Sequence, residues 1–238
     1  MKVILIGAGR MGRMLAECAP ELGIEVAGQF DEHTIGALAD APRVDAVIDF
    51  SAPAALAPLA AYVRRTGTAL VSGTTGYSQK ELEGLHGLAE AAPVVASANY
   101  SVGVAVLKHL AAEASKYLRD FDVEVVETHH RMKKDAPSGT AKMLLAAIDP
   151  AGERRVVSGR EGLCPRTTGE IGVHAVRGGT VAGVHTVSFF GDEEEVSLTH
   201  RAESRRIFAL GALKAARLLA GRPASLYTLD DLIFSRSA

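Results

Sequence analysis

The densest chemistry in the chain lies between Glu127 and Lys142, which reads E-T-H-H-R-M-K-K-D-A-P-S-G-T-A-K. Five of the six residues from His129 to Lys134 carry or can carry positive charge: His129, His130, Arg131, Lys133 and Lys134. Histidine changes charge near neutral pH, and a neighbouring cation pushes its pKa down. Lysine donates protons and holds an anion as a point charge. His129 and Lys133, four residues apart, would therefore suit proton transfer to a small anionic substrate. The charge run by itself names no reaction, and a solvated basic loop touching nucleic acid also fits it.

The flanking residues say what must hold these side chains. Val123, Val125 and Val126 make Asp122–Thr128 read as a buried strand, so the charges begin where a strand leaves the core. Ala136-Pro137-Ser138-Gly139-Thr140 is a turn signal, and Ala141–Ile148 is helix-prone and apolar on one side. Ser138 suits the cap of that helix. The backbone N–H groups of Gly139 and Thr140 would then face the loop, where a helix start suits a carboxylate or phosphate. Arg131 and Lys134 read as solvated or structural rather than catalytic. His174, His185 and His200 fall in strand patterns and read as packing or interface residues.

A second constellation opens the chain. The apolar run Val3–Ile6 leads into Gly7-Ala8-Gly9-Arg10-Met11-Gly12, followed by Met14, Leu15, Cys18 and Leu22 at helical spacing. In this G-x-G-x-x-G pattern Gly7 permits the tight turn, Gly9 lets backbone approach a pyrophosphate, and Gly12 lets helix and strand pack closely. A second strand, Glu25–Phe30, ends at Asp31, 19 residues after Gly12, where a carboxylate can accept from ribose hydroxyls. The bland alternative is a glycine-rich turn that binds nothing. Strands over Asp45–Phe50, Ala69–Val71 and Val94–Ala96 alternate with helices from Pro53 to about Arg65 and over Gln79–Ala91, while 33–43 is too short for a full crossover helix. Strand–helix repetition specifies a parallel sheet, and its carboxyl ends, Ser72–Gly76 and Ser97–Tyr100, are where ligands bind.

The grammar changes after a long helix over Ser101–Tyr117. Arg154–Ser158, Ile171–Arg177, Thr180–Phe190 and Glu194–Arg201 are β-branched and alternating, then Glu203–Leu219 and Thr228–Ile233 are helical again. The expected architecture is α/β: a Rossmann-like doubly wound parallel sheet, formed by 1–100 and 210–238, with a smaller α+β domain at 101–209. That second domain's sheet is expected to be mixed and mostly antiparallel. The formal charge of −2 gives no global field for nucleic acid or anionic membrane. Only Cys18 and Cys164 occur, which make neither a disulfide framework nor a metal site of known spacing. Cys18 reads as buried filler. No targeting or membrane-spanning segment is apparent, so cytoplasm is the expected location.

With these residues assembled, the chain resembles the 4-hydroxy-tetrahydrodipicolinate reductases (dihydrodipicolinate reductases) of lysine and diaminopimelate synthesis. The resemblance covers nearly the whole length. It rests on G-A-G-R-M-G at 7–12, D-F at 49–50, S-G-T-T-G at 72–76, A-N-Y-S-V-G at 98–103 and, most specifically, E-T-H-H-R-M-K-K-D-A-P-S-G-T-A at 127–141. E-I-G-V-H-A-V-R-G-G at 170–179 and G-V-H-T-V at 183–187 also match. It implies catalytic His129 and Lys133, and contact of a small anionic dicarboxylate substrate with His130, Ser138, Gly139 and Thr140. It also places NADH or NADPH against Gly7, Ala8, Gly9, Arg10, Met11, Gly12, Asp31, Gly73, Thr74, Thr75, Ser97, Ala98, Asn99 and Tyr100, and implies a homotetramer built through the sheet domain.

Two departures bear on the cofactor. The segment from Asp31 to Asp45 is shorter than in many relatives, which would leave the adenosine end more exposed; Asp31 is followed by Glu32 rather than by a basic residue, which disfavours the 2′-phosphate of NADP and so favours NADH. Arg10 and Arg13 could still reach a 2′-phosphate, and relatives often accept both cofactors. Two rivals stay open: another two-domain NAD(P) oxidoreductase acting on an amino acid or sugar, and a non-catalytic redox sensor. The sensor is disfavoured because no helix-turn-helix pattern is present and a His–Lys site would lack a task.

Overall fold

Apolar runs buried on both faces set the centre of the first sheet. In the computed structural model, which describes residues 1–234, strands β1 (Lys2–Ile6), β2 (Glu25–Phe30), β3 (Ala46–Asp49), β4 (Ala69–Ser72) and β5 (Pro93–Ala96) alternate with helices α1 (Arg10–Cys18), α2 (Leu56–Thr66) and α3 (Gln79–His86). The chain continues through α4 (Val102–Tyr117), β6 (Asp122–His129), α5 (Gly139–Ile148), β7 (Val156–Ser158), β8 (Ile171–Arg177), β9 (Gly183–Phe190) and β10 (Glu195–Ala202). It closes with α6 (Arg206–Leu219), β11 (Ser225–Tyr227) and α7 (Leu229–Phe234). Contacts divide the described residues into two compact units, 1–102 with 206–234, and 103–205.

The first unit is a six-stranded parallel sheet in the order β11-β5-β4-β3-β1-β2. The order reverses at β1 and β3, the switch point at which doubly wound sheets bind ligands. Ile4, Ile6, Val47, Leu70 and Val94 pack on Leu59, Val63, Leu85 and Leu88 of the α2–α3 side. Helices α1 and α6 pack on each other, and α6 also covers β3 and β4. Cys18 is buried there, as its spacing predicts. The abbreviated crossover is a 3₁₀ segment, Ile35–Asp40. Pro53 opens a single 3₁₀ turn before α2, and the α3 helix gives way to 3₁₀ geometry over Gly87–Glu90, so both helices are shorter than their apolar patterns suggest. Strand β11 is three residues long and was not legible as a strand.

The second unit is a five-stranded mixed sheet, β10-β9-β6-β8-β7. Pairings β10–β9 and β9–β6 are antiparallel, whereas β6–β8 and β8–β7 are parallel. Its antiparallel character is thus confined to one half. The parallel half arises because β6 reaches β8 through α5 rather than through a hairpin. Val123, Val125, Ile171, Val173, Val187 and Phe189 form one face, packed on Leu107 and Ala111 of α4 and on Ala141, Leu144 and Ile148 of α5. Strand β9 begins at Gly183, three residues later than its alternation predicts, after a turn at Gly178-Gly179 with Gly179 at φ +50°.

Candidate active site

Alternation along β6 sends Val123, Val125, Glu127 and His129 to the buried face. Register supplies their neighbours: Arg177 of β8 lies beside His129, and His185 of β9 lies beside Glu127. The inner face that is apolar along most of its length therefore turns polar where β6 ends. The α5 helix starts over the same spot, because Ser138 caps it by accepting from Ala141 N at 3.1 Å.

Glu127 is wholly buried and its carboxylate meets four polar groups. It accepts from Ser138 N at 3.0 Å and from Arg177 Nη1 and Nη2 at 2.9 and 2.8 Å, and its Oε2 lies 2.5 Å from His129 Nδ1. Burial opposes the carboxylate charge, but the Arg177 fork, His129 and the Ser138 N–H outweigh it and hold the carboxyl below its usual value. Burial pushes the His129 pKa down, Glu127 acts in the opposite sense, and Lys133 and Arg177 add to the lowering. His185 packs edge-on against the His129 ring, centroids 5.1 Å apart, with its Nε2 3.2 Å from Ser138 Oγ. Burial, then the His129 charge, push its pKa down to about 4, so it is neutral at working pH.

The sequence-predicted residues come together around this core. His130 is half-buried, its Nε2 3.1 Å from Arg205 Nη2. Lys133 Nζ donates to Asp135 Oδ1 at 2.8 Å, and the Asp135 carbonyl accepts from Arg177 Nη2 at 2.7 Å. Ser138 is buried, while Gly139 and Thr140 form the first turn of α5. Arg131 and Lys134 are exposed, as expected. Glu127, Arg177, His185 and Arg205 were not singled out from sequence as site residues. The signal for Glu127 was its place two residues before His129 on an alternating strand. The others depend on strand pairing that spacing does not reveal.

In the first unit the carboxyl ends of the strands form a second constellation. Gly7 has φ +106°, and a Cβ there would lie 2.3 Å from Phe50 O. A Cβ at Gly12 would lie 1.9 Å from Gly7 O, so that glycine lets α1 meet the turn. At Gly9 a Cβ would meet nothing within 4 Å, leaving open space before α1. Gly9 is also the N-cap of α1, without a side-chain cap, and Ala8 and Arg10 are exposed beside it, with Met11 half-buried. Asp31 closes β2; its Oδ1 accepts from Thr34 Oγ1 at 2.8 Å and from the backbone of His33 and Thr34, which lowers its pKa. Gly7, Gly9, Asp31, Glu32 and Phe50 line a cavity of about 480 Å³.

Thr74, Thr75, Ser97 and Ala98 line a smaller cavity of about 290 Å³. Gly73 lies against the Phe50 ring, and Thr74 Oγ1 accepts from Ser51 N at 2.8 Å. Ser97 Oγ donates to Asn99 O at 2.8 Å, which folds this loop on itself. The Tyr100 side chain is enclosed and donates to Ser72 O at 2.7 Å, making it a strut between loops. Among the described residues no cluster of His, Cys, Asp or Glu is arranged to hold a metal, and no helix is long and apolar enough to cross a membrane.

Glycines that leave room before a helix start, with a carboxylate across the cavity, suit a dinucleotide; a buried His–Glu pair beside a lysine and a second helix start suits proton transfer to an anion. Comparison with known proteins points the same way. Residues 1–100 match the family model described as dihydrodipicolinate reductase, N-terminus, and 103–233 match its C-terminus. The chain is 42% identical to the 4-hydroxy-tetrahydrodipicolinate reductase of Methanoregula boonei, covering 98% of this chain and 97% of that one. It is 43% identical to the enzyme of that name from an Exiguobacterium species, over 98% and 95%. In fold it is similar to a dipicolinate-bound dihydrodipicolinate reductase from Paenisporosarcina sp. TG-14, with TM-score 0.77 and 22% identity over 96% and 97% of the two chains. Matched along both units and across full-length relatives, the chain belongs to the dihydrodipicolinate reductase family.

Proposed function

We propose that this chain reduces 4-hydroxy-tetrahydrodipicolinate to tetrahydrodipicolinate with NAD(P)H, in the diaminopimelate route to lysine. The observation that carries the reading is the meeting of His129, Lys133 and the Ser138-capped start of α5 at the end of β6, in a chain with full-length relatives of that name. The net change is addition of one hydride and one proton and loss of water from the ring. The first unit takes the dinucleotide, and the second takes the substrate.

The open backbone at Gly9, the start of α1 and the Asp31 carboxylate fit a dinucleotide's pyrophosphate and ribose. Residues of the Gly73–Thr75 and Ser97–Tyr100 loops hold its nicotinamide end. Bound there, the reduced nicotinamide supplies the hydride. Asp31 and Glu32 both line the cavity beside Gly9, and two carboxylates disfavour a 2′-phosphate, so NADH is preferred.

As hydride adds, negative charge develops on the conjugated ring. Lys133 gives up Asp135 for a substrate carboxylate, and the start of α5 at Gly139-Thr140 faces the same anion with its positive end. His130 and Ser138 complete the carboxylate contacts. His129 delivers the proton. His129→Gln and Lys133→Ala are each expected to lower turnover by about 10²–10⁴-fold with NADH affinity unchanged. Near-normal turnover in either variant would remove that residue from its role.

We further infer a cytoplasmic homotetramer assembled through the second unit's sheet. Support comes from the face turned away from α4 and α5, where Val126, Val176 and Phe190 are 37–47% exposed.

A further inference from the structure

The Glu127 carboxylate touches both the proposed proton donor and the proposed anion site. We propose that Glu127 is the positioning residue of this centre: it fixes His129 with a proton on Nδ1, so that only Nε2 exchanges a proton with the substrate. This deepens the reading above and rests on it for the identity of the substrate.

The argument is one of donors and acceptors. An ionised carboxylate has no proton to give, so every group bonded to it must donate. Arg177 and Ser138 N are donors by constitution, and the two guanidinium bonds hold Glu127 in its ionised form. The remaining contact, 2.5 Å from His129 Nδ1, therefore carries its proton on nitrogen. In water the neutral imidazole prefers its proton on Nε2, so the buried pair selects the less common tautomer. Nε2 then has one task. As imidazolium, His129 releases the Nε2 proton to the reduced ring and is left as the neutral Nδ1–H form; the Nδ1 proton stays in place throughout.

Position is fixed by the same contacts. Glu127 is anchored from β8 by Arg177 and from the start of α5 by Ser138 N, so the His129 ring and the first turn of α5 are referred to one rigid carboxylate. Gly183 keeps that edge of the ring uncrowded, since a Cβ there would lie 3.1 Å from His129 Nε2. The charged and titratable groups acting on His129 are Glu127 on its own strand, Lys133 from the loop, Arg177 of β8 and, against the ring face, His185 of β9. Of these only Glu127 is an anion, so it is the group that keeps the imidazolium accessible.

Long-range ¹H–¹⁵N NMR of the labelled full-length protein tests this, with the His129 ring signals assigned by their loss in His129→Gln. Above its titration, wild-type His129 should show a protonated Nδ1 and an unprotonated Nε2. Glu127→Gln should return the ring to the Nε2–H form or a mixture and lower turnover by about 10²-fold or more. It should also move the high-pH limb of the rate profile to lower pH, with KM for NADH unchanged. A wild-type ring protonated on Nε2 overturns the proposal whether or not the variant folds. So does a Glu127→Gln enzyme with wild-type turnover and an unmoved limb. A wild-type protein that shows the Nδ1–H ring but reduces no cyclic imine supports the assignment of Glu127 while refuting the substrate.

Discussion

His185 shows what burial does to a titratable group. Its pKa falls from 6.5 to about 4, so the unfolded chain binds more protons than the folded one between those values. Stability from this residue is complete above about pH 6.5 and is lost as pH falls toward 4, by up to about 3 kcal/mol. Thermal unfolding from pH 7 to pH 4 should therefore show a smaller drop in midpoint for His185→Gln than for wild type. Asp31 makes the other prediction at this scale: kcat/KM should favour NADH, and Asp31→Ser should shift the ratio toward NADPH by about tenfold or more. A wild-type preference for NADPH would contradict it. His129 and Lys133 were legible because a charge run at a strand end is visible in composition. Arg177 was not, because it lies 50 residues from Glu127 and reaches it only through the β6–β8 register.

Element by element, the glycines of the first turn separate fold from function. Gly12→Ala puts a Cβ 1.9 Å from backbone, so α1 must shift and both stability and NADH affinity should fall. Gly9→Ala meets no protein atom within 4 Å and should leave the unfolding midpoint unchanged while weakening NADH. Unchanged NADH affinity in Gly9→Ala, measured by fluorescence titration, would move the pyrophosphate elsewhere. For α5, Ser138→Ala removes the cap to Ala141 N and should cost about 1 kcal/mol of stability while raising the substrate KM. Strands β1 to β5, the glycine turn before α1 and the Ser138-capped start of α5 could be read from sequence because their signals are local. The three residues of β11 could not, since pairing with β5 rather than propensity makes them a strand. The parallel half of the second sheet was equally hidden, because alternation is the same for either direction of pairing.

Across the whole molecule, the switch from strand–helix repetition to alternating strands was enough to announce a doubly wound sheet and a second, separate sheet. Their strand orders were not, since order follows from which edges remain to be covered. The outward face of the second sheet carries the prediction for assembly. Light scattering should give a mass near four chains of 25.0 kDa, and Val126→Lys should reduce it. The central claim, reduction of the cyclic imine by a nicotinamide, is tested most directly by following NADH absorbance in a coupled assay. A dihydrodipicolinate synthase supplies the substrate in situ from pyruvate and aspartate semialdehyde. Rapid NADH oxidation that requires every component is the result expected. No oxidation by a protein that still binds NADH would contradict the account.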